Sequence, residues 1–225
     1  MRHAIYICPP HGSPLERAAA AWLGRDAFTG EALRQRKVPG LENGLSELTA
    51  SPRRYGFHGT LVAPFRPAPG VETSDISAAL REFCRDEDAF EVPVAIGRLG
   101  PFFALVASEK SLELATLANR AVKRFHRFRA EPSAEETARR RPERLTTRQR
   151  EMLEKWHYPY VFDEFRFHMT LTGPVSDTDA PQVAHALLDH FGDVLDEPLV
   201  VDALARYEEP KPGDFTVAER VEFVG

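Results

Sequence analysis

Two stretches carry the sharpest alternation of apolar and polar positions in this chain, FHGTLVAPF at 57–65 and FHMTLTGPV at 167–175, and they agree at five of nine positions. Successive side chains of an extended strand point to opposite faces. Phe57, Gly59 and Leu61 therefore take one side and His58 and Thr60 the other. In the second copy Phe165, Phe167, Met169 and Leu171 oppose Arg166, His168, Thr170 and Thr172. The apolar faces suit a core, and the polar faces are too rich in hydrogen-bonding groups for one.

The remaining pattern predicts an ordered series of elements. Residues 3–8 read as a strand, and Ser13-Pro14-Leu15-Glu16 opens a helix to about Leu23 with a capping box and proline at the first helical position. A strand follows at about 54–62, then a helix capped by Ser74 with Ile76, Leu80 and Phe83 at helical spacing. FEVPVAIGR and FFALVAS are strands joined by the turn LGP. Beyond them Ser111 caps a helix, Thr146 and Gln149 open a shorter one at 146–156, and a strand at 164–172 carries the second motif. A helix at about 181–191 and a hairpin across PKPGD complete the chain. Similar element order in the halves 1–100 and 101–225, each with one His-x-Thr strand, points to an internal duplication within a single domain of residues 1–225.

At 225 residues and 43% hydrophobic content the chain can bury a full core. The apolar run AIYIC is too short for a signal-peptide core or a membrane span, so a cytoplasmic protein without a membrane partner is expected. Cys8 and Cys84 show no ligand spacing and are expected to be buried thiols. The net charge of −5 argues against nonspecific coating of nucleic acid, yet residues 120–150 hold eleven Lys/Arg against four Glu, +7 locally, leaving −12 elsewhere. That stretch reads either as a basic rim for a phosphorylated ligand or as a solvated helical face with a charged connector. Whether 129–145 folds over a cleft, and the oligomeric state, are not legible.

Facing polar sides of the two strands, related by a twofold, place two imidazoles and two hydroxyls around a volume suited to a tetrahedral anion. Displacement at phosphorus uses such a pair: a neutral imidazole takes a proton from the attacking hydroxyl and an imidazolium protonates the departing oxygen. His58 and His168 are the candidate acid and base, in an order the sequence leaves open. Thr60 and Thr170 are candidate donors to the non-bridging oxygens, and Arg166 and Arg54 stand in register with the histidines. Glu164 is a competing partner for Arg166. Tyr6, Tyr158 and Tyr160 read as stacking platforms for a sugar or base, or as packing residues. His11 and His157 read as surface or turn residues. The scheme needs no metal or other cofactor, and no HExxH, CxxC or histidine–carboxylate cluster occurs.

His58-Gly59-Thr60 and His168-Met169-Thr170, each in an apolar strand, resemble the 2H phosphoesterase superfamily, whose signature is one His-x-Ser/Thr motif per lobe. The flanking text RRYGFHGTLVAPF and DEFRFHMTLTGPV is especially similar to a branch of unknown function found in bacterial phosphonate-utilisation operons. The resemblance implies a bilobal α+β fold, with two pseudo-twofold-related lobes whose mainly antiparallel sheets line a central cleft and helices outside. It also implies metal-independent chemistry at a cyclic phosphodiester or related phosphoester. The expected partner is a small phosphorylated substrate such as a cyclic phosphate of ribose. Processing of RNA ends or 2′,3′-cyclic nucleotides is the second choice, and noncatalytic binding of a phosphorylated metabolite the third.

Overall fold

The pairing of Gly59 with Met169 joins the two motif strands directly, side by side and antiparallel. In the computed structural model, which describes residues 1–39, 41 and 44–225, the strands are β1 (Arg2–Ile7), β2 (Gly59–Phe65), β3 (Phe90–Val92), β4 (Val94–Leu99), β5 (Phe102–Ala107), β6 (His168–Thr170), β7 (Leu199–Val201), β8 (Ala203–Glu209) and β9 (Thr216–Glu222). The helices are α1 (Pro14–Leu23), α2 (Gly44–Leu48), α3 (Ala50–Tyr55), α4 (Thr73–Arg85), α5 (Leu112–Phe125), α6 (Ala134–Arg139), α7 (Thr147–Trp156) and α8 (Ala180–Phe191). Seven strands form one antiparallel sheet in the order β4-β5-β6-β2-β1-β8-β9, and β3 pairs with β7 in a small ribbon.

The fold is thus α+β with antiparallel sheets, as expected. The expectation of two sheets facing each other across a groove is corrected: both motifs lie on one continuous sheet. The halves interleave within it, because β1 pairs with β8 and β2 with β6.

Alternation assigns the two faces. Ile5, Leu61, Leu105, Met169 and Leu204 turn inward onto Leu80, Leu117, Phe125 and Leu187 of α4, α5 and α8. Trp22 of α1 is fully buried there and donates from its indole nitrogen to the Leu171 carbonyl at 2.9 Å. On the opposite face Ala4, Tyr6, Ala205, Tyr207 and Phe215 form a smaller cluster with Tyr55 packed against it. Cys8 and Cys84 are free and buried. No helix among the described residues is long and apolar enough to cross a membrane.

Helix starts follow local chemistry. Ser13, Ser111 and Thr146 accept from the amides of Glu16, Leu114 and Gln149, as their positions predict. Glu16, however, reaches back to the Gly12 amide rather than to that of Ser13. Helix α4 is opened two residues earlier than Ser74, by Glu72, whose amide donates to the Asp75 carboxylate at 2.9 Å. The strand expected at 54–62 starts only at Gly59, since 50–55 is helical and Gly56 turns the chain at φ 73°. The strand expected at 164–172 is cut to three residues. A 3-10 turn occupies Phe162–Glu164, and Thr172 is buried where its hydroxyl accepts from the Phe103 amide at 2.9 Å and donates to the Gly173 carbonyl.

Glu209, at the end of β8, ties the outer face together. Its carboxylate, only 2% exposed, accepts from Arg2 at 2.5 Å, from Arg54 at 2.6 Å and from the Gly213 amide at 3.0 Å. Burial alone would raise its pKa, but these donors hold it down to about 2. Glu209→Ala leaves two arginines without their shared acceptor and is expected to lower unfolding stability by about 3 kcal/mol in urea titrations. Because the folded pKa is depressed, the contribution is present above the unfolded carboxylate pKa and disappears as pH falls towards 2.

Candidate active site

The register that sets Gly59 against Met169 places His58 opposite Thr170 and Thr60 opposite His168, all four on the outer face. Opposed Cβ atoms of an antiparallel pair lie about 5 Å apart and diagonal ones roughly 7–8 Å apart. The two imidazoles are diagonal neighbours on that face.

Both rings are held the same way. His58 Nδ1 lies 2.9 Å from the Gly56 carbonyl, and His168 Nδ1 lies 2.8 Å from the Arg166 carbonyl. A carbonyl can only accept, so in each ring Nδ1 carries the proton and the neutral imidazole presents Nε2 as a lone pair. In His58 that Nε2 sits 3.1 Å from the Thr60 hydroxyl. The two motifs therefore orient their own histidines through the backbone two residues upstream, which needs a turn before each strand. Gly56 supplies the first turn and the 3-10 segment the second.

Surroundings distinguish the rings. His58 lies against Tyr6, centroids 3.8 Å apart and 20° from parallel, with Tyr55 and Tyr207 at 6.2 and 6.0 Å. Burial pushes its pKa down to about 4, the Gly56 bond opposes this, and the charge on His168 adds to the lowering. His168 has one aromatic neighbour among the described residues, Phe102, tilted at 5.9 Å.

Two adjoining clefts open over these residues. One of about 230 Å³ is lined by His58, Thr60, Thr170, Tyr6, Tyr55 and Arg140, among others. The other, about 510 Å³, is lined by His168, Arg166, Phe102, Tyr158 and Tyr160. Thr60 and Tyr158 line both and mark the passage between them.

Of the sequence candidates, His58, Thr60, His168, Thr170, Arg166, Tyr158 and Tyr160 meet here. Arg166 is exposed, and Glu164 does not claim it: that carboxylate accepts from Gln149 at 2.7 Å. Tyr6 is 1% exposed and packs on His58, so it supports the histidine more than it offers a stacking surface. Arg54 is corrected. It stands on α3 rather than on the motif strand, and its guanidinium is taken by Glu209 and the Gly213 carbonyl. His157 stands at the turn that ends α7, with φ 60°, and its side chain is 9% exposed with Nε2 3.2 Å from Glu131. Sequence reasoning missed Arg2, Tyr55 and Arg140. Only Arg140 left a signal, the charge density of the Arg-rich stretch. Its segment is anchored beside the cleft by the Ala130 amide on the Arg66 carbonyl at 2.8 Å and by the Arg66–Glu136 pair at 2.9 Å.

Fold and site together define an α+β protein with two histidine–threonine pairs on the outer face of an antiparallel sheet. The chain belongs to the family described as "Protein of unknown function (DUF1045)", which it matches over residues 60–216. It is 38% identical over its whole length to a protein of Janthinobacterium sp. (strain Marseille) named "Ribose 1,5-bisphosphate phosphokinase PhnN", of which the match covers 51%. A protein of the same name from Laribacter hongkongensis (strain HLHK9) is 33% identical over 95% of this chain and 49% of its own. The chain thus spans about half the length of these curated relatives. A crystal structure of a phosphoesterase aligns over 100% of this chain and 98% of its own with 11% identity and a TM-score of 0.41, a likeness that decides neither fold nor chemistry.

The depressed His58 pKa has a direct readout. In a histidine-resolved NMR titration, His58 is expected to stay neutral through pH 6 and to protonate near 4. Because the folded value lies below the unfolded one of about 6.5, stability is expected to fall as pH drops from there towards 4. His3, likewise held at about 4 chiefly by burial, contributes with the same sign. His58→Asn should make the fall shallower without abolishing it.

Proposed function

We propose that this protein is a phosphoesterase that opens a cyclic phosphodiester by general acid–base catalysis between His58 and His168. The observation that supports it most is the placement of two imidazoles on one open face, each with Nδ1 fixed on a backbone carbonyl and Nε2 presented to the clefts. Such a pair serves a reaction that takes a proton at one side of a phosphorus and delivers one at the other.

His58 is assigned as base. With a pKa near 4 it is neutral at physiological pH, and its Nε2 can accept the proton of an attacking water. The water oxygen forms a new bond to phosphorus as the ring P–O bond breaks. The departing oxygen takes a proton from the His168 imidazolium, so the products are a phosphomonoester and a free hydroxyl. The proton gained by His58 and the one lost by His168 return through solvent. Thr60 has a single hydroxyl proton. Directed at His58 it steadies the ring, and turned to a phosphoryl oxygen it frees Nε2 and stabilises developing charge together with Thr170. Arg140 in the His58 cleft and Arg166 in the His168 cleft supply the positive field.

The name shared by the two longer relatives points to phosphorylated ribose, and with the resemblance to the phosphonate-operon branch it favours a 1,2-cyclic phosphate of ribose as the ester. Phosphorus NMR of the protein in EDTA, given phosphoribosyl 1,2-cyclic phosphate and a 2′,3′-cyclic nucleotide separately, is expected to show opening of the first. His58→Ala and His168→Ala are each expected to slow it by about 10²–10⁴-fold. The acidic limb of kcat/KM should fall near pH 4, where His58 becomes protonated and can no longer accept. Wild-type turnover by either alanine variant, or an unchanged spectrum with both esters, would refute the reading.

A further inference from the structure

A third cleft, of about 210 Å³, shares Arg2, Tyr55, Pro64 and Arg140 with the His58 cleft and continues from it beneath α6. Five arginines line it: Arg2, Arg66, Arg129, Arg139 and Arg140. Three are neutralised nearby, Arg2 by Glu209, Arg66 by Glu136 and Arg139 by Glu135. Glu136 is the one carboxylate among the described lining residues, and it also accepts from the Ser133 amide.

Arg129 and Arg140 are different. Among the described residues neither has a carboxylate within ion-pairing distance. Arg129 touches only neutral acceptors, the carbonyls of Ala63 at 3.2 Å and His157 at 3.4 Å, and stands 5.4 Å from the Phe65 ring centroid. Its Nε is shut off from solvent and has no partner. Arg140 lies over Tyr158 at 4.8 Å. Burial and then the like charge of Arg140 lower the Arg129 pKa to about 10, which still leaves it charged at neutrality. Two uncompensated guanidiniums held together against their repulsion beside an open cleft are the arrangement of an anion site, and paired planar donors suit a phosphate dianion.

We propose that the arginine cleft holds a second, non-reacting phosphate of the substrate, so that the natural substrate is a small sugar carrying both a cyclic phosphodiester and a distal phosphomonoester. This rests on the phosphoesterase reading for the reacting end alone. The two clefts share a wall of Arg2, Tyr55, Pro64 and Arg140, so one small ligand can reach from one into the other, and of the two shared arginines Arg140 is the one without a carboxylate partner among the described residues. The distal phosphate orders the ring relative to His58 and His168, so its binding contributes to catalysis without touching the reacting phosphorus.

The test compares ribose 1,2-cyclic phosphate with and without a 5-phosphate. The wild-type protein is expected to prefer the 5-phosphorylated compound by about 10–100-fold in kcat/KM, the scale of charge-assisted hydrogen bonds. That ratio should fall to about twofold or less in Arg140→Gln and in Arg129→Gln. Arg140 carries the test should loss of the Arg129 contacts to Ala63 and His157 impair folding. Calorimetry with ribose 5-phosphate on His168→Ala protein reads the subsite without turnover. Binding there that is lost with Arg140→Gln supports the subsite even when neither ester is opened, a result that would sink only the catalytic reading. Equal kcat/KM for the two esters, or equal affinity for ribose 5-phosphate with and without Arg140, would overturn the proposal. A dinucleotide ending in a 2′,3′-cyclic phosphate turned over as fast as the 5-phosphorylated sugar would also overturn it, by giving the arginines to a polynucleotide.

Discussion

The pairing of Gly59 with Met169 is the contact on which the site depends. A shift of one residue in that register would flip one strand relative to the other, turning its histidine into the core and its phenylalanine out of it, because strand faces alternate with period two. The register is enforced on the buried side. A Cβ at Gly59 would come 2.5 Å from the Phe167 ring, so the ring of the second motif lies directly on the glycine of the first. Phe57, Leu61, Phe167, Met169 and Leu171 are all under 9% exposed, and none can leave the core without a large loss of apolar burial. The wet face inherits its geometry from the dry one.

Alternation therefore explains why the motifs and their core side were legible in the sequence while the surroundings were not. Period-two patterning identifies which side chains share a face, but it carries no information on which strands become neighbours. The placement of the two strands in adjacent positions of one sheet, between β5 and β1, is set by packing of α4, α5 and α8 on the inner face. Local signals located the caps of α1, α5 and α7 because side chain and amide are three residues apart. They misplaced Arg54 because Ala50–Tyr55 is a six-residue helix held partly by contacts distant in the chain, including the Phe215 amide on the Arg54 carbonyl at 2.8 Å.

The same distinction governs charge. Counting residues located an excess of positive charge at 120–150, and the structure divides it by function. Arg120, Arg124, Arg139 and Arg148 are matched by Glu87, Glu82, Glu135 and Asp163. Such surface pairs contribute little to stability and lower the local field. Arg129 and Arg140 keep theirs, having no carboxylate partner among the described residues, and both line the cleft beside α6. A basic rim and a solvated helical face, alternatives when only composition is known, coexist in one segment.

Two nearly identical motifs acquire unequal chemistry from what covers them. Covalently His58 and His168 are equivalent, each with a threonine two residues on and a carbonyl two residues back. β2 is an interior strand of seven residues flanked by the buried Tyr6 of β1, whereas β6 is three residues long and ends in turns on both sides. The longer, better covered strand removes water from His58 and drives its imidazole to the neutral form, while the shorter one leaves His168 beside the exposed Arg166. Burial lowers the His58 pKa, and among the described residues no carboxylate orients either ring; the backbone carbonyls at Gly56 and Arg166 do the orienting instead.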